Sequence, residues 1–166
     1  IDVETNVARL AAQRALGPMS AGESSQLVAL FEIGGNTSTM QVFREHDVLY
    51  EREQIFGGAQ LTQMLVHQYG FTFKEAEAKK RAGDLPSDFA EAVLAPYVDT
   101  LADQIESALK LFFTSTPNNN VDWILLAGGS AMLDGLTDAI SDRTSTRCDA
   151  IDPFEGMEVP RGLQAK

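Results

Sequence analysis

Leu27-Val28-Ala29-Leu30-Phe31-Glu32-Ile33-Gly34-Gly35-Asn36-Thr37 is an apolar run that ends in paired glycines. The pattern returns further along as Leu125-Leu126-Ala127-Gly128-Gly129-Ser130-Ala131-Met132. Each apolar run has the composition of a buried strand. The first turn leads into another strand-like run and the second into a helical one. Small residues at strand ends let backbone N–H groups approach a phosphate, or a ring face, with no Cβ in the way. A pair of such turns in one α/β domain points to a nucleotide held between a hairpin and a helix start.

Working outward, strand character covers residues 27–33, 39–43 and 48–54, the last two joined by the polar turn Arg44-Glu45-His46-Asp47. Helical patterns follow over residues 59–69 and 73–82, broken by Gly70. From 88 to 115 apolar residues recur at 94, 98, 101, 105, 108 and 112, a three-four spacing, with Pro96 set to kink or restart that helix. Residues 121–127 read as a buried strand, 131–142 as a helix and 147–151 as a last strand before Pro153. The order β-β-β-α-β-α-β is the ribonuclease-H-like topology without its final helix, which predicts a mixed five-stranded sheet with helices.

Composition narrows the function. A chain of 166 residues, 44% hydrophobic, can bury one core of ordinary size. A net charge of −11 argues against nonspecific nucleic-acid binding and against an electrostatic membrane anchor, both of which need a Lys/Arg surface. No apolar stretch approaches the roughly 18 residues that span a bilayer, and no signal peptide is visible. The single Cys148 excludes an internal disulfide and a cysteine-based zinc site within this chain. These features predict a soluble, cytoplasmic module. The abrupt Ile1-Asp2-Val3-Glu4 start, the amphipathic stretch from Thr5 to Leu16 and the aperiodic residues 155–166 read as a chain cut at both ends.

Four segments stand out: Tyr50-Glu51-Arg52-Glu53-Gln54-Ile55-Phe56-Gly57-Gly58-Ala59-Gln60-Leu61-Thr62, the Ala76-Glu77…Lys80 pair, Gly83-Asp84-Leu85-Pro86, and Leu126-Ala127-Gly128-Gly129-Ser130-Ala131…Gly135-Leu136. Together they resemble the PilM family of type IV pilus assembly proteins. The opening Asp2-Val3-Glu4 and the Asp152-Pro153-Phe154 segment also fit, so the resemblance covers nearly the whole chain. It implies the C-terminal half of an actin/Hsp70-like fold. Residues 1–19 would be the crossover helix from an absent N-terminal half, and residues 20–166 the half itself, with a helical insertion over about 59–95 and its final helix absent.

The resemblance also implies roles. Residues 31–39 would form the second phosphate loop, with Gly34, Gly35, Asn36 and Thr37 offering backbone N–H groups and a hydroxyl to the phosphates of ATP. Glu32, one methylene longer than the aspartate relatives usually carry, would hold Mg2+ through water. Residues 125–136 would form the adenosine motif. Gly128 and Gly129 would present backbone to adenine and ribose, and Ser130 would cap the next helix while touching the nucleoside. Glu77 and Lys80, three apart on one helical face, would reach the ribose and adenine.

As a partner, the family implies the N-terminal tail of the inner-membrane protein PilN, docked mainly on the absent half, and through it PilO and PilP. The role implied is an ATP-binding scaffold at the inner face of the inner membrane. The alternatives are an active actin-like ATPase or phosphotransferase on the same fold, and a nucleotide-free interaction module of a secretion system.

Read without the family, each motif has a plainer meaning: a Gly-Asn hairpin turn, a strand-to-helix turn at 128–129, and a solvated ion pair at Glu77 and Lys80. Gly57-Gly58 reads as the tight passage from the third strand into a helix. His46 and His67 read as surface residues, Phe112, Phe113 and Trp123 as core, and Cys148 as a buried small apolar residue. No catalytic residue emerges from the pattern.

Overall fold

The first apolar run becomes the centre of a sheet because both of its faces need cover. In the computed structural model, which describes residues 10, 12, 26–45 and 47–151, β1 (Leu27–Ile33) lies between β2 (Ser38–Arg44) and β4 (Trp123–Ala127). With β3 (Asp47–Gln54) and β5 (Cys148–Ala150) at the edges, the order is β3-β2-β1-β4-β5. The β1/β2 and β2/β3 pairs are antiparallel hairpins, whereas β1/β4 and β4/β5 are parallel. This is the mixed five-stranded sheet expected from the order of elements.

Alternation along β1 divides the core. Leu27, Ala29, Phe31 and Ile33 point into the larger cluster with Met40, Val42, Ile124 and Leu126. Val28 and Leu30 point to the opposite face, with Phe43, Trp123, Leu125, Ala127, Ile151 and Ala12. A run buried on both faces reads as continuously apolar, which is why β1 and β4 show no polar alternation. The expected crossover helix over residues 1–19 and the segment after Ile151 fall outside the described residues, apart from positions 10 and 12.

The larger cluster is roofed by helices. These are α1 (Gly58–Tyr69), α2 (Phe73–Ala82), α3 (Ala95–Ser115) and α4 (Leu136–Thr144). The spacing read over α3 is the buried stripe itself: Val98, Leu101, Ile105, Ala108 and Phe112 are all covered. Phe112 meets Tyr50 of β3 edge-on at 5.3 Å, and Tyr97 stacks on Phe56 at 6.1 Å. Pro96 restarts the helix rather than breaking it. A π-helical turn, Ala90–Leu94, precedes α3 and sets Pro96 in its first turn, where a missing N–H costs little. Thr72 and Glu75 form a capping box at the N-terminus of α2.

Most boundaries move by a residue or so, and two element starts move further. Strand β4 begins at Trp123 rather than 121, because Asp122 is occupied in a reciprocal bond: Leu27 N–H donates to its carboxylate at 2.7 Å and its own N–H donates to Leu27 C=O at 2.8 Å. Helix α4 begins at Leu136, not 131. Residues 128–136 form tight turns (Ala131 N–H to Gly128 C=O, Leu133 N–H to Ser130 C=O, Leu136 N–H to Leu133 C=O), and Gly135 is left-handed at φ 77°.

Cys148 is buried on β5, and burial pushes its thiol up to about 12. Since the thiolate is the reactive form, the folded protein is expected to resist a thiol-specific disulfide reagent at pH 8 and to react fully once denatured. Rapid reaction of the native protein would mean that β5 is not packed as described.

Candidate functional site

Because β1 and β4 are parallel, the turns that leave them emerge at the same edge of the sheet. Glu32 stands opposite Ala127 in the register, so Gly128 comes against Ile33 one residue later and the two glycine pairs emerge side by side. The contact is close. Gly128 has φ 94°, and a Cβ there would lie 2.3 Å from the Ile33 carbonyl oxygen. No side chain fits that backbone in that place, so Gly128 is what lets the second turn lie against the first.

The hairpin 34–37 is held from the other side by the start of α1. Gly58 N–H donates to Gly34 C=O at 3.0 Å and Ala59 N–H to Gly35 C=O at 2.8 Å. A Cβ on Gly57 would lie 2.5 and 2.6 Å from those same oxygens. Helix α1 therefore satisfies its first N–H groups on the hairpin instead of on an anion. The buried Ser38 hydroxyl ties Phe56 C=O to the base of the hairpin at 2.7 Å.

Between these parts lies a cleft of about 700 Å³, within the usual range for small-molecule sites. Its walls are Glu32, Ile33 and the hairpin, Gly58, Ala59 and Leu61 of α1, Phe73, Glu77, Lys80 and Arg81 of α2, and Gly128, Gly129, Ser130 and Leu133. Phe73, Glu77, Lys80 and Arg81 share a helix face, being 0, 4, 7 and 8 positions along α2. Lys80 Nζ donates to Glu77 Oε1 at 2.6 Å, to Thr62 Oγ1 at 2.6 Å and to Gly58 C=O at 3.4 Å. The Lys80 bond, then a bond from Thr62, holds the Glu77 carboxyl below its usual value of 4.5. Arg81, largely exposed, stands 3.7 Å from Glu77 Oε2.

Nearly every residue singled out in the sequence meets at this cleft: Glu32, Gly34, Gly35, Asn36, Glu77, Lys80, Gly128, Gly129 and Ser130. Thr37 does not line it. Its carbonyl instead closes the hairpin by accepting the Gly34 N–H at 3.0 Å, so that N–H is engaged within the turn. Gly35 and Asn36 donate to no other group among the described residues. Ser130 caps no helix, because α4 starts at Leu136 with Gly135 in the capping position and no side-chain cap. Its side chain is buried near the Tyr97 hydroxyl. That hydroxyl has no partner in hydrogen-bond geometry, although Ser130 stands close enough to oppose part of the rise that burial gives its pKa.

Among the lining or supporting residues that escaped the sequence reading are Thr62, Phe73, Arg81 and Leu133. Thr62 ends the quoted Tyr50–Thr62 segment, and Arg81 is the residue after Lys80 on the same helix. The tertiary contact that gathers them had no local signal. Among the described residues no group of three His, Cys, Asp or Glu side chains is gathered to hold a metal, and no helix is long and apolar enough to cross a membrane.

A family profile described as type IV pilus assembly protein PilM matches residues 1–166. The chain belongs to the PilM family. Among solved structures, a PilM–PilN type IV pilus biogenesis complex aligns over 89% of this chain and 42% of that one, with 19% identity and a TM-score of 0.67. EutJ, an ethanolamine utilization protein from Carboxydothermus hydrogenoformans, aligns over 90% and 49% with 22% identity and a TM-score of 0.62. MreB5 of Spiroplasma citri bound to AMPPNP aligns over 87% and 53% with 17% identity and a TM-score of 0.57. These likenesses establish the actin-like fold, and the chain spans about half the length, or less, of these solved neighbours.

The two glycines of the second turn carry different burdens. Gly128 is left-handed and pressed on Ile33, whereas a Cβ on Gly129 meets nothing within 4 Å. Gly128→Ala is expected to destabilise the fold by about 2 kcal/mol or more and Gly129→Ala by under about 1 kcal/mol, read by chemical denaturation. Equal losses would contradict the close approach of the two turns.

Proposed function

We propose that the cleft binds Mg-ATP and that the protein serves as a nucleotide-responsive scaffold in type IV pilus assembly. The observation that carries this reading is the meeting of both glycine turns and the Glu77–Lys80 pair around one cleft of about 700 Å³. In this reading the Gly35 and Asn36 N–H groups take the phosphate end. Gly34 acts through its carbonyl, which anchors α1, and Thr37 through its carbonyl, which closes the hairpin. Gly128, Gly129 and Ser130 border the nucleoside on one side. Phe73, Glu77 and Arg81 border it on the other, with Phe73 and Arg81 offering an apolar ring and a planar cation to a base.

The fit to Mg2+ rests on the chemistry of the donor set. Glu32 at the end of β1 brings one carboxylate to the hairpin side of the cleft, while Glu77 is engaged by Lys80 and Thr62 on the other. Mg2+ is commonly bound through one or two carboxylates, phosphate oxygens and several waters, so Glu32 beside a triphosphate suffices. When bound, the ion would neutralise phosphate charge next to a chain of net charge −11. Glu32 would orient it, while the hairpin N–H groups hold the phosphate oxygens.

The division of the chain follows from the same reading: residues 20–166 form one half of an actin-like protein, with the α1 and α2 region as its helical insertion. The PilM partner named in the solved complex is PilN. We extend that partnership to this protein as a whole, at the cytoplasmic face of the inner membrane, with the docking groove mainly on the other half. Nucleotide that bridges two halves would favour a closed state and so regulate the scaffold. A nucleotide-free scaffold is the second reading. It is favoured by one observation: all three Lys80 hydrogens are engaged within the chain, which leaves the cleft short of spare cationic donors.

Calorimetric titration of Mg-ATP into the full-length protein distinguishes the two. Because Gly129 opens on empty space, Gly129→Val is expected to leave the melting temperature within a few degrees while abolishing micromolar binding. Binding that persists unchanged in the variant would move the ligand away from this turn, and no binding by either protein would favour the nucleotide-free scaffold.

A further inference from the structure

Thr62 is fully buried, yet its hydroxyl is the meeting point of three polar groups. Its Oγ1 accepts from Lys80 Nζ at 2.6 Å, donates to Glu77 Oε1 in a short bond, and lies 3.4 Å from Gly58 C=O in the preceding turn of its own helix. A hydroxyl has one hydrogen and two lone pairs, and here its hydrogen meets the carboxylate while a lone pair meets the ammonium. Lys80 in turn spends its three hydrogens on Glu77, Thr62 and Gly58. Every strong bond that links the polar wall of α2 to α1 therefore passes through Thr62, Lys80 or both.

The first turn of that same α1 holds the hairpin carbonyls of Gly34 and Gly35. A continuous path of short contacts thus runs from the hairpin through α1 and Thr62 to Glu77. We propose that Thr62 is a positioning residue, whose buried hydroxyl sets the Glu77 carboxylate and Lys80 ammonium against the cleft and fixes their place relative to the hairpin. It touches no ligand itself. Lys80, fully engaged, acts by orienting Glu77, and Glu77 Oε2 is the oxygen left on the Arg81 side. A valine would keep the shape and lose the hydroxyl, which leaves the ammonium and carboxylate to find other partners. The inference rests on the nucleotide reading for its consequence in binding, but the arrangement of the pair is testable without any ligand.

The experiment compares the unmodified full-length protein with Thr62→Val and Thr62→Ser. First, the Glu77 carboxyl is titrated by carbon NMR without nucleotide. Lys80 and Arg81 on α2 and Thr62 on α1 are the groups against Glu77, and Glu32 lines the same cleft from β1. The folded carboxyl is held below 4.5, so loss of the Thr62 hydroxyl should raise its titration toward 4.5, while Thr62→Ser should leave it low. Second, Mg-ATP affinity should fall about ten-fold in Thr62→Val and recover in Thr62→Ser, as loss of a bond to a charged group predicts. A Glu77 titration unmoved in Thr62→Val overturns the proposal, and so does a shifted titration with unchanged affinity. If the unmodified protein binds no Mg-ATP, the nucleotide reading is what fails, and the titration still decides whether Thr62 holds the pair.

Discussion

The parallel pairing of β1 with β4 is the constraint on which the rest depends. Parallel neighbours release their chains at the same edge of a sheet, and in open α/β sheets that carboxyl edge is where ligands collect. Here the pairing runs in register from Val28 opposite Trp123 to Glu32 opposite Ala127, so Gly34-Gly35 and Gly128-Gly129 arrive side by side. The left-handed Gly128, seated on the Ile33 carbonyl, turns that proximity into contact. A larger residue at Gly128 would push the turns apart, and one wall of the cleft would move away from the other.

The second organising element is α1. Its first N–H groups cap the hairpin, its buried Leu61 and Leu65 join the larger core cluster, and its Thr62 hydroxyl anchors α2. One helix thus fixes both the glycine hairpin and the polar wall across the cleft. That accounts for Gly57-Gly58: with a side chain at Gly57 the helix could not approach the hairpin carbonyls. It also changes the meaning of Lys80, from an exposed cation available to a ligand to the inner member of a buried-edge network.

Much of this was legible in the chain because it rests on local rules. The unbroken apolar runs of β1 and β4 declared strands covered on both faces, and the three-four spacing of α3 declared the stripe that is buried. The glycine pairs marked the places where backbone must come close. What the chain did not declare depends on partners distant in sequence. Gly34 N–H is consumed by Thr37 C=O, Ser130 is displaced from capping by the turns up to Gly135, and Thr62 finds Lys80 eighteen positions away. Resemblance to the PilM family singled out residues that line one cleft, but the bonds that decide which atoms remain available were set by packing between α1, α2 and the hairpin.

The account's central claim is that the two glycine turns and α2 form one nucleotide site. It is tested most directly by amide chemical shifts of the full-length protein as Mg-AMPPNP is added. The account predicts shifts concentrated at Gly35, Asn36, Gly129, Ser130 and the Phe73–Ala82 helix, moving together along a single binding curve. Saturation that leaves these amides in place, with changes confined to β3 or α4, would contradict it.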